Sequence, residues 1–192
     1  LFSGLIVHAL FAECIQRAPY LIVNHGNYVK KIVFPLEILA WSSLGAALFH
    51  AMISALVLII FYGVLHHSLH WTMLLIPVLF LPLALVTIGL SWFLASAGVF
   101  LRDLGHASGP VTTVMLFLSP VFYPVSAFPD SYRILLYANP LTFLITQAQD
   151  VLIWGKAPFW GGIGLYCVCS YLVAWAGLLW FQKTRRTFAD VL

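Results

Sequence analysis

Formal charge is scarce in this 192-residue chain: Asp, Glu, Lys and Arg together make up 8% of it. A soluble domain carries about 25% charged residues, and so few charges cannot cover a water-facing surface. Soluble enzyme folds are therefore excluded. Disorder is excluded as well, because it needs low hydrophobicity and high net charge, whereas 62% of this chain is hydrophobic and its net charge is +3. Cysteine is also sparse. The three present, Cys14, Cys167 and Cys169, cannot build a disulfide framework, and the last two, on opposite faces of an expected helix, read as lipid-facing or packing residues. Catalytic patterns are missing too: there is no G-x-S-x-G, no paired-carboxylate spacing and no Cys/His arrangement. Gly155-Lys156 comes nearest to a phosphate loop, but Asp150 stands where the first glycine is needed. If nucleotide hydrolysis drives this protein, another polypeptide binds the nucleotide.

Long uncharged runs are what the chain does have, with a mean hydropathy of +1.01, and they define an all-α integral membrane protein. Between Glu37 and Arg102 lie 64 residues without a formal charge. At 1.5 Å per residue that is about 96 Å of helix, enough for two spans and a turn. His66-His67-Ser68-Leu69-His70-Trp71 marks the turn, so one span is expected near 38–65 and a second near 72–101. A third is expected over 106–122 and a fourth over 158–181. The apolar stretch 1–12 is too short for a span and reads as the end of a truncated one.

Four full spans place Arg17, Lys30, Lys31, Arg102, Lys183, Arg185 and Arg186 on one side, against Arg133 and Lys156 on the other. Seven basic residues against two predict that the first side, C-terminus included, is cytoplasmic.

Residues 119–156 are not an ordinary span. Pro120, Pro124, Pro129 and Pro140 each remove a backbone donor, which membrane depth tolerates only under protein or beside water. Asn139-Pro140 reads as an N-cap followed by proline at the first helical position, predicting a helix to about Trp154 stopped by Gly155. Asp130 or Ser131 begins another through Tyr137. The expectation is two short re-entrant helices at the outer face, with a surface loop as the alternative.

His66, His67 and His70 have helical spacing for a shared metal, but no Cys, Asp or Glu stands nearby to complete a set. Beside Trp71 they read as interfacial residues, and no metal site is expected. His8 and His50 interrupt apolar helices as packing or pathway residues. The segment 13–37 holds five of the fifteen formal charges, together with Pro19 and Pro35. It reads either as solvated anchors or as a docking surface for a cytoplasmic partner. Arg102-Asp103 is a structural boundary, anchoring the inner end of the second span or pairing with another helix.

The run Phe11-Ala12-Glu13-Cys14-Ile15-Gln16-Arg17-Ala18-Pro19 resembles the F-x-E-x-I-x-R-A-P stretch of polysaccharide-exporting ABC-2 type permeases. Asn27-Tyr28-Val29-Lys30-Lys31-Ile32-Val33-Phe34-Pro35-Leu36-Glu37, Arg102-Asp103, Ser119-Pro120-Val121-Phe122-Tyr123-Pro124, Asn139-Pro140-Leu141 and Phe188-Ala189-Asp190 follow in that family's order along nearly the whole chain. The nearest group is similar to the O-antigen and capsule exporters of Gram-negative inner membranes, with teichoic-acid exporters as neighbours.

The resemblance implies a single transmembrane domain over 1–192, N-terminally truncated, that pairs with a second copy of itself and with two copies of a separate ATPase. That partner would carry ATP and Mg, leaving no cofactor in this chain. The cargo implied is lipid-linked polysaccharide moved from cytoplasm to periplasm; nucleic acid has no part. A cytoplasmic coupling loop falls on 13–37, with Glu13, Arg17, Pro19, Asn27, Lys30, Lys31, Phe34 and Pro35 as its ATPase-facing residues. Periplasmic gate helices fall on 130–137 and 140–154. Aromatic rings suit the C–H faces of sugars, so Tyr123, Phe128, Tyr132 and Tyr137, with Asn139 and Pro140, are the gate and channel candidates. Two other classes stand beside this one: an ABC-2 exporter of small amphiphiles or drugs, and a membrane enzyme acting on lipid-linked sugars through His66 or His70.

Overall fold

A computed structural model describes residues 1–26, 35–66, 70–123, 136 and 139–188, with the side chain of His66 left out. Among these residues the regular structure is helical throughout. Helix α1 is Phe2–Arg17, α2 is Tyr20–Val23 and α3 is Glu37–His66. A 3-10 turn, Trp71–Leu75, leads into α4, Ile76–Phe100. Then come α5, Leu104–Phe117, α6, Pro140–Leu152, and α7, Trp160–Thr184, closed by a 3-10 turn at Arg185–Thr187.

Among the described residues, three helical stretches are long and apolar enough to cross a membrane: Glu37–Leu65, Trp71–Phe100 and Trp160–Thr187. They fall where the uncharged runs predict them. The span expected over 106–122 is different. Its helix, α5, has 14 residues, about 21 Å at 1.5 Å per residue, short of a hydrocarbon core of about 30 Å. Two features limit it. Pro110 stands inside the helix and removes one ladder donor, and after Phe117 the chain turns, with the Ser119 hydroxyl donating to Leu116 O at 2.7 Å. The opening helix also departs from expectation, since α1 runs past Glu13 and ends only at Arg17.

Helix α4 is the most enclosed of the three long helices, while α3 and α7 leave most of their apolar surface open. Phe49, Leu56, Phe61 and Val64 on α3, and Leu165, Val168, Leu172 and Trp175 on α7, are exposed, as suits helices bathed in hydrocarbon. Without a hydrophobic drive between helices in lipid, close packing falls to small residues. Accordingly α4 and α7 meet backbone to backbone at Gly89 and Gly177. A Cβ on Gly89 would lie 2.6 Å from Val173 O and 2.7 Å from Ala174 Cα.

Helices α4 and α7 run in the same direction. Gly89 meets Gly177, and further along Ser96 and Thr184 share a hydroxyl hydrogen bond of 2.6 Å. At that end Arg185 pairs with Glu37 at 2.6 Å, Trp92 Nε1 donates to Glu37 O, and Phe188 packs on Phe100 and Phe181. The opposite end is tied by Thr72 Oγ1 donating to Val151 O at 2.7 Å and Tyr62 OH donating to Ile153 O at 3.3 Å. The bundle therefore has one end bearing Glu37 and Arg185, and another bearing His70, Trp71 and Gly155.

Candidate coupling corner and gate

At the first end, α1 hands over to α2 in a tightly packed corner. Glu13 lies one turn before Arg17, and their side chains pair at 2.9 Å. Its other oxygen approaches His50 Nδ1 at 3.2 Å. His50 lies 13 residues beyond Glu37, about 20 Å along α3, so this carboxylate bridges α1 to the middle of a spanning helix. Glu13 and Arg17 thus occupy the last turn of α1 rather than a loop.

Helix α1 is also fastened to α5. Gln16 Nε2 donates to Thr112 Oγ1 at 2.8 Å, and His8 Nε2 meets Thr112 O at 2.9 Å. Ala18 is fully buried. The backbone of Pro19 presses on Gly98 of α4, where a Cβ would lie 2.8 Å from Pro19 Cα. The ring of Tyr20 covers Gly105 of α5, where a Cβ would come within 2.6 Å of Cε1. Gly98 and Gly105 flank Arg102-Asp103, and both charged residues are exposed. Neither side chain forms an ion pair among the described residues. Asp103 occupies the N-cap of α5 without a side-chain capping bond. Pro35 closes the segment, its carbonyl accepting from Ile38 N at 3.0 Å as α3 begins. Asn27, Lys30, Lys31 and Phe34 lie outside the described residues.

At the opposite end, Asn139 performs the expected capping. Its Oδ1 accepts from Leu141 N at 3.0 Å, satisfying a donor that the helix start leaves free. Its Nδ2 donates to Met115 O at 2.9 Å, a link between α6 and the far part of α5 that capping logic does not foresee. Pro140 is the first helical residue, and its carbonyl accepts from Tyr166 OH at 2.7 Å. Helix α6 stops at Leu152, and Gly155 takes the left-handed φ of +61° predicted for its stop.

Depth follows from these partners. Asn139 sits level with Met115, whereas Pro120, further along the chain, accepts from Gln149 Nε2 at 2.9 Å. Pro120 therefore lies nearer than Asn139 to the end bearing His70 and Trp71, and α6 runs toward that end. Tyr123 donates to Phe117 O, and Phe117 stacks on Phe122 at 5.8 Å. Phe128, Tyr132 and Tyr137 lie outside the described residues, as does nearly all of the helix expected over 130–137.

Sequence reasoning passed over several residues that shape this region. Gln147 is buried, and its Oε1 accepts from Phe159 N at 2.8 Å; Gln149, Thr72 and Tyr166 tie neighbouring segments together. A glutamine in an apolar helix signals that it needs a partner, but the partner's identity lies far along the chain. No group of three or more His, Cys, Asp or Glu side chains able to hold a metal occurs among the described residues. His70 packs beside Tyr62 with ring centroids 6.0 Å apart, and His67 lies outside them.

The sequence model of the ABC-2 type transporter family matches residues 1–153. The O-antigen export system permease protein RfbA of Myxococcus xanthus is 27% identical over 192 residues, covering 99% of this chain and 74% of that protein. Two Klebsiella pneumoniae proteins with the same description are each 24% identical over 195 residues, again covering 74% of their length.

Proposed function

The chain belongs to the ABC-2 type transporter family, and from that premise we propose that it is the permease subunit of an ATP-driven exporter of lipid-linked polysaccharide, O-antigen or capsule. The observation that carries this reading is similarity to O-antigen export permeases along almost the entire chain. Two copies sit in the bacterial inner membrane with two copies of an ATPase subunit that binds ATP and Mg. The end bearing Arg17, Arg102, Lys183, Arg185 and Arg186 faces the cytoplasm by the positive-inside rule.

In this reading α5 and residues 118–123 complete the third crossing together. Helix α6 is a re-entrant periplasmic gate helix, a reading supported by Asn139 lying level with Met115 while Pro120 lies level with Gln149. Backbone of this kind is acceptable at membrane depth where protein or water covers it. Closure of the ATPase dimer pushes on the segment around 13–37 and shifts the bundle between two rigid states. The energy derives from the partner's different affinity for those states. The polymer passes between the two copies, with Tyr123, Phe128, Tyr132 and Tyr137 offering ring faces to the sugars.

The deciding experiment compares surface polymer with polymer retained inside on its lipid carrier, in cells lacking the full-length gene. Loss outside with accumulation inside is the expected result. Normal surface polymer overturns it in favour of small-amphiphile export, and absence on both sides points to a synthetic role.

A further inference from the structure

We propose that Gly105 and Tyr20 form the contact through which movement of the α1–α2 corner reaches α5, and through α5 the opposite end of the bundle. This deepens the exporter reading and rests on its ATP-driven partner, but not on the identity of the cargo.

Three contacts carry it. Tyr20 stands three residues after the end of α1, and its ring lies where any side chain on Gly105 would have to go. Further back on α1, Gln16 and His8 both hold Thr112, about two turns beyond Gly105 on α5. This second attachment braces α5 just beyond Pro110, the one place where its ladder lacks a donor. At the far part of α5, Met115 O accepts from Asn139, so α6 begins on a carbonyl of the same short helix. A displacement of the corner therefore meets α5 at Gly105 and Thr112 and leaves it at Met115. Spatial continuity alone does not establish coupling, so the contact needs a perturbation that breaks it without unfolding the chain.

Gly105 allows that, and Gly98 does not. A Cβ on Gly98 would strike the Pro19 backbone, whereas the nearest neighbours of a Cβ on Gly105 are at the outer end of the Tyr20 ring. Tyr20 is 36% exposed, which leaves its ring an open side toward which to turn. Gly105→Ala thus unseats the ring while leaving the fold intact, and Tyr20→Ala removes it from the other side. Gly109 lies on the same helix with nothing within 4 Å of its would-be Cβ, so Gly109→Ala controls for the helix itself.

The test uses the full-length permease with its ATPase partner, native cysteines replaced by alanine and Phe122→Cys introduced as a label site near the end of α5, where Phe122 is exposed. Labelling is compared with and without a non-hydrolysable ATP analogue. The expected result is a nucleotide-dependent change in labelling rate that falls at least fivefold in Gly105→Ala and in Tyr20→Ala. The double variant should be no worse than either single one, because both remove one contact, and Gly109→Ala should behave as the parent. A nucleotide response unchanged in both single variants, or absent from the parent, overturns the proposal, as does a double variant whose losses multiply. Cargo export enters none of these outcomes, so failure of the polysaccharide reading is seen separately, in the surface-polymer experiment.

Discussion

Asn139 carries two duties in one amide. Its oxygen caps α6 and its nitrogen holds Met115 O. Losing an N-cap of this kind costs about 0.5–2 kcal/mol, and a part-buried carbonyl losing its donor at Met115 adds to that. Asn139→Ala should therefore lower thermal stability in detergent, and Asn139→Asp, which keeps the cap but loses the donor, should fall between it and the parent. Glu13 differs in kind. Its partners Arg17 and His50 are both more than half exposed, and a one-turn ion pair of that sort contributes only about 0.3–0.5 kcal/mol. Reversing the charge at Glu13 or Arg17 should thus leave membrane accumulation near normal while lowering export. Normal export by both variants would remove them from the coupling surface.

Among the elements, the pairing of α4 with α7 depends on glycine in a way that α5 does not. A side chain on Gly89 would meet backbone of α7 at 2.6–2.7 Å, which only separation of the helices can relieve. Gly89→Ala is expected to destabilise the protein by about 1–3 kcal/mol, measurable as a lower thermal midpoint, although alanine is the better helix former. Gly109→Ala, in open space on α5, should be neutral or slightly stabilising. Helix α5 also shows how local chemistry overrides a hydropathy run. The stretch 106–122 is apolar enough to be read as a span, yet Pro110 and the turn at Ser119 leave only 14 helical residues.

For the whole molecule, the hydrogen bonds set two ends apart, and the balance of basic residues predicts which side each end faces. In a cysteine-free chain, a cysteine introduced at Arg186 should react with an impermeant reagent only after the inner membrane is opened. One at Trp71, exposed beside the other end, should react in intact cells once the outer membrane is permeable. The reverse pattern would invert the topology and move the corner at Tyr20 away from any cytoplasmic ATPase.

The three long helices, the cap at Asn139 and the stop at Gly155 were legible in the amino-acid order because each depends on neighbours within a few residues: uncharged length, an Asn-Pro pair, a glycine free to adopt positive φ. Glu13 and Arg17 stood out as charges in an apolar chain. Their bridge to His50, the pairing of Gly98 with Pro19 and of Gly105 with Tyr20, and the hold of Asn139 on Met115 could not be read this way. Each joins residues on different helices, and which faces meet is decided by the packing of the whole bundle. The same holds for the course of α6. Sequence predicts a helix there, but only its partners Met115, Tyr166 and Thr72 set which way it runs beside the long helices, because polar groups in an apolar bundle must be satisfied by whichever protein groups tertiary structure brings within reach.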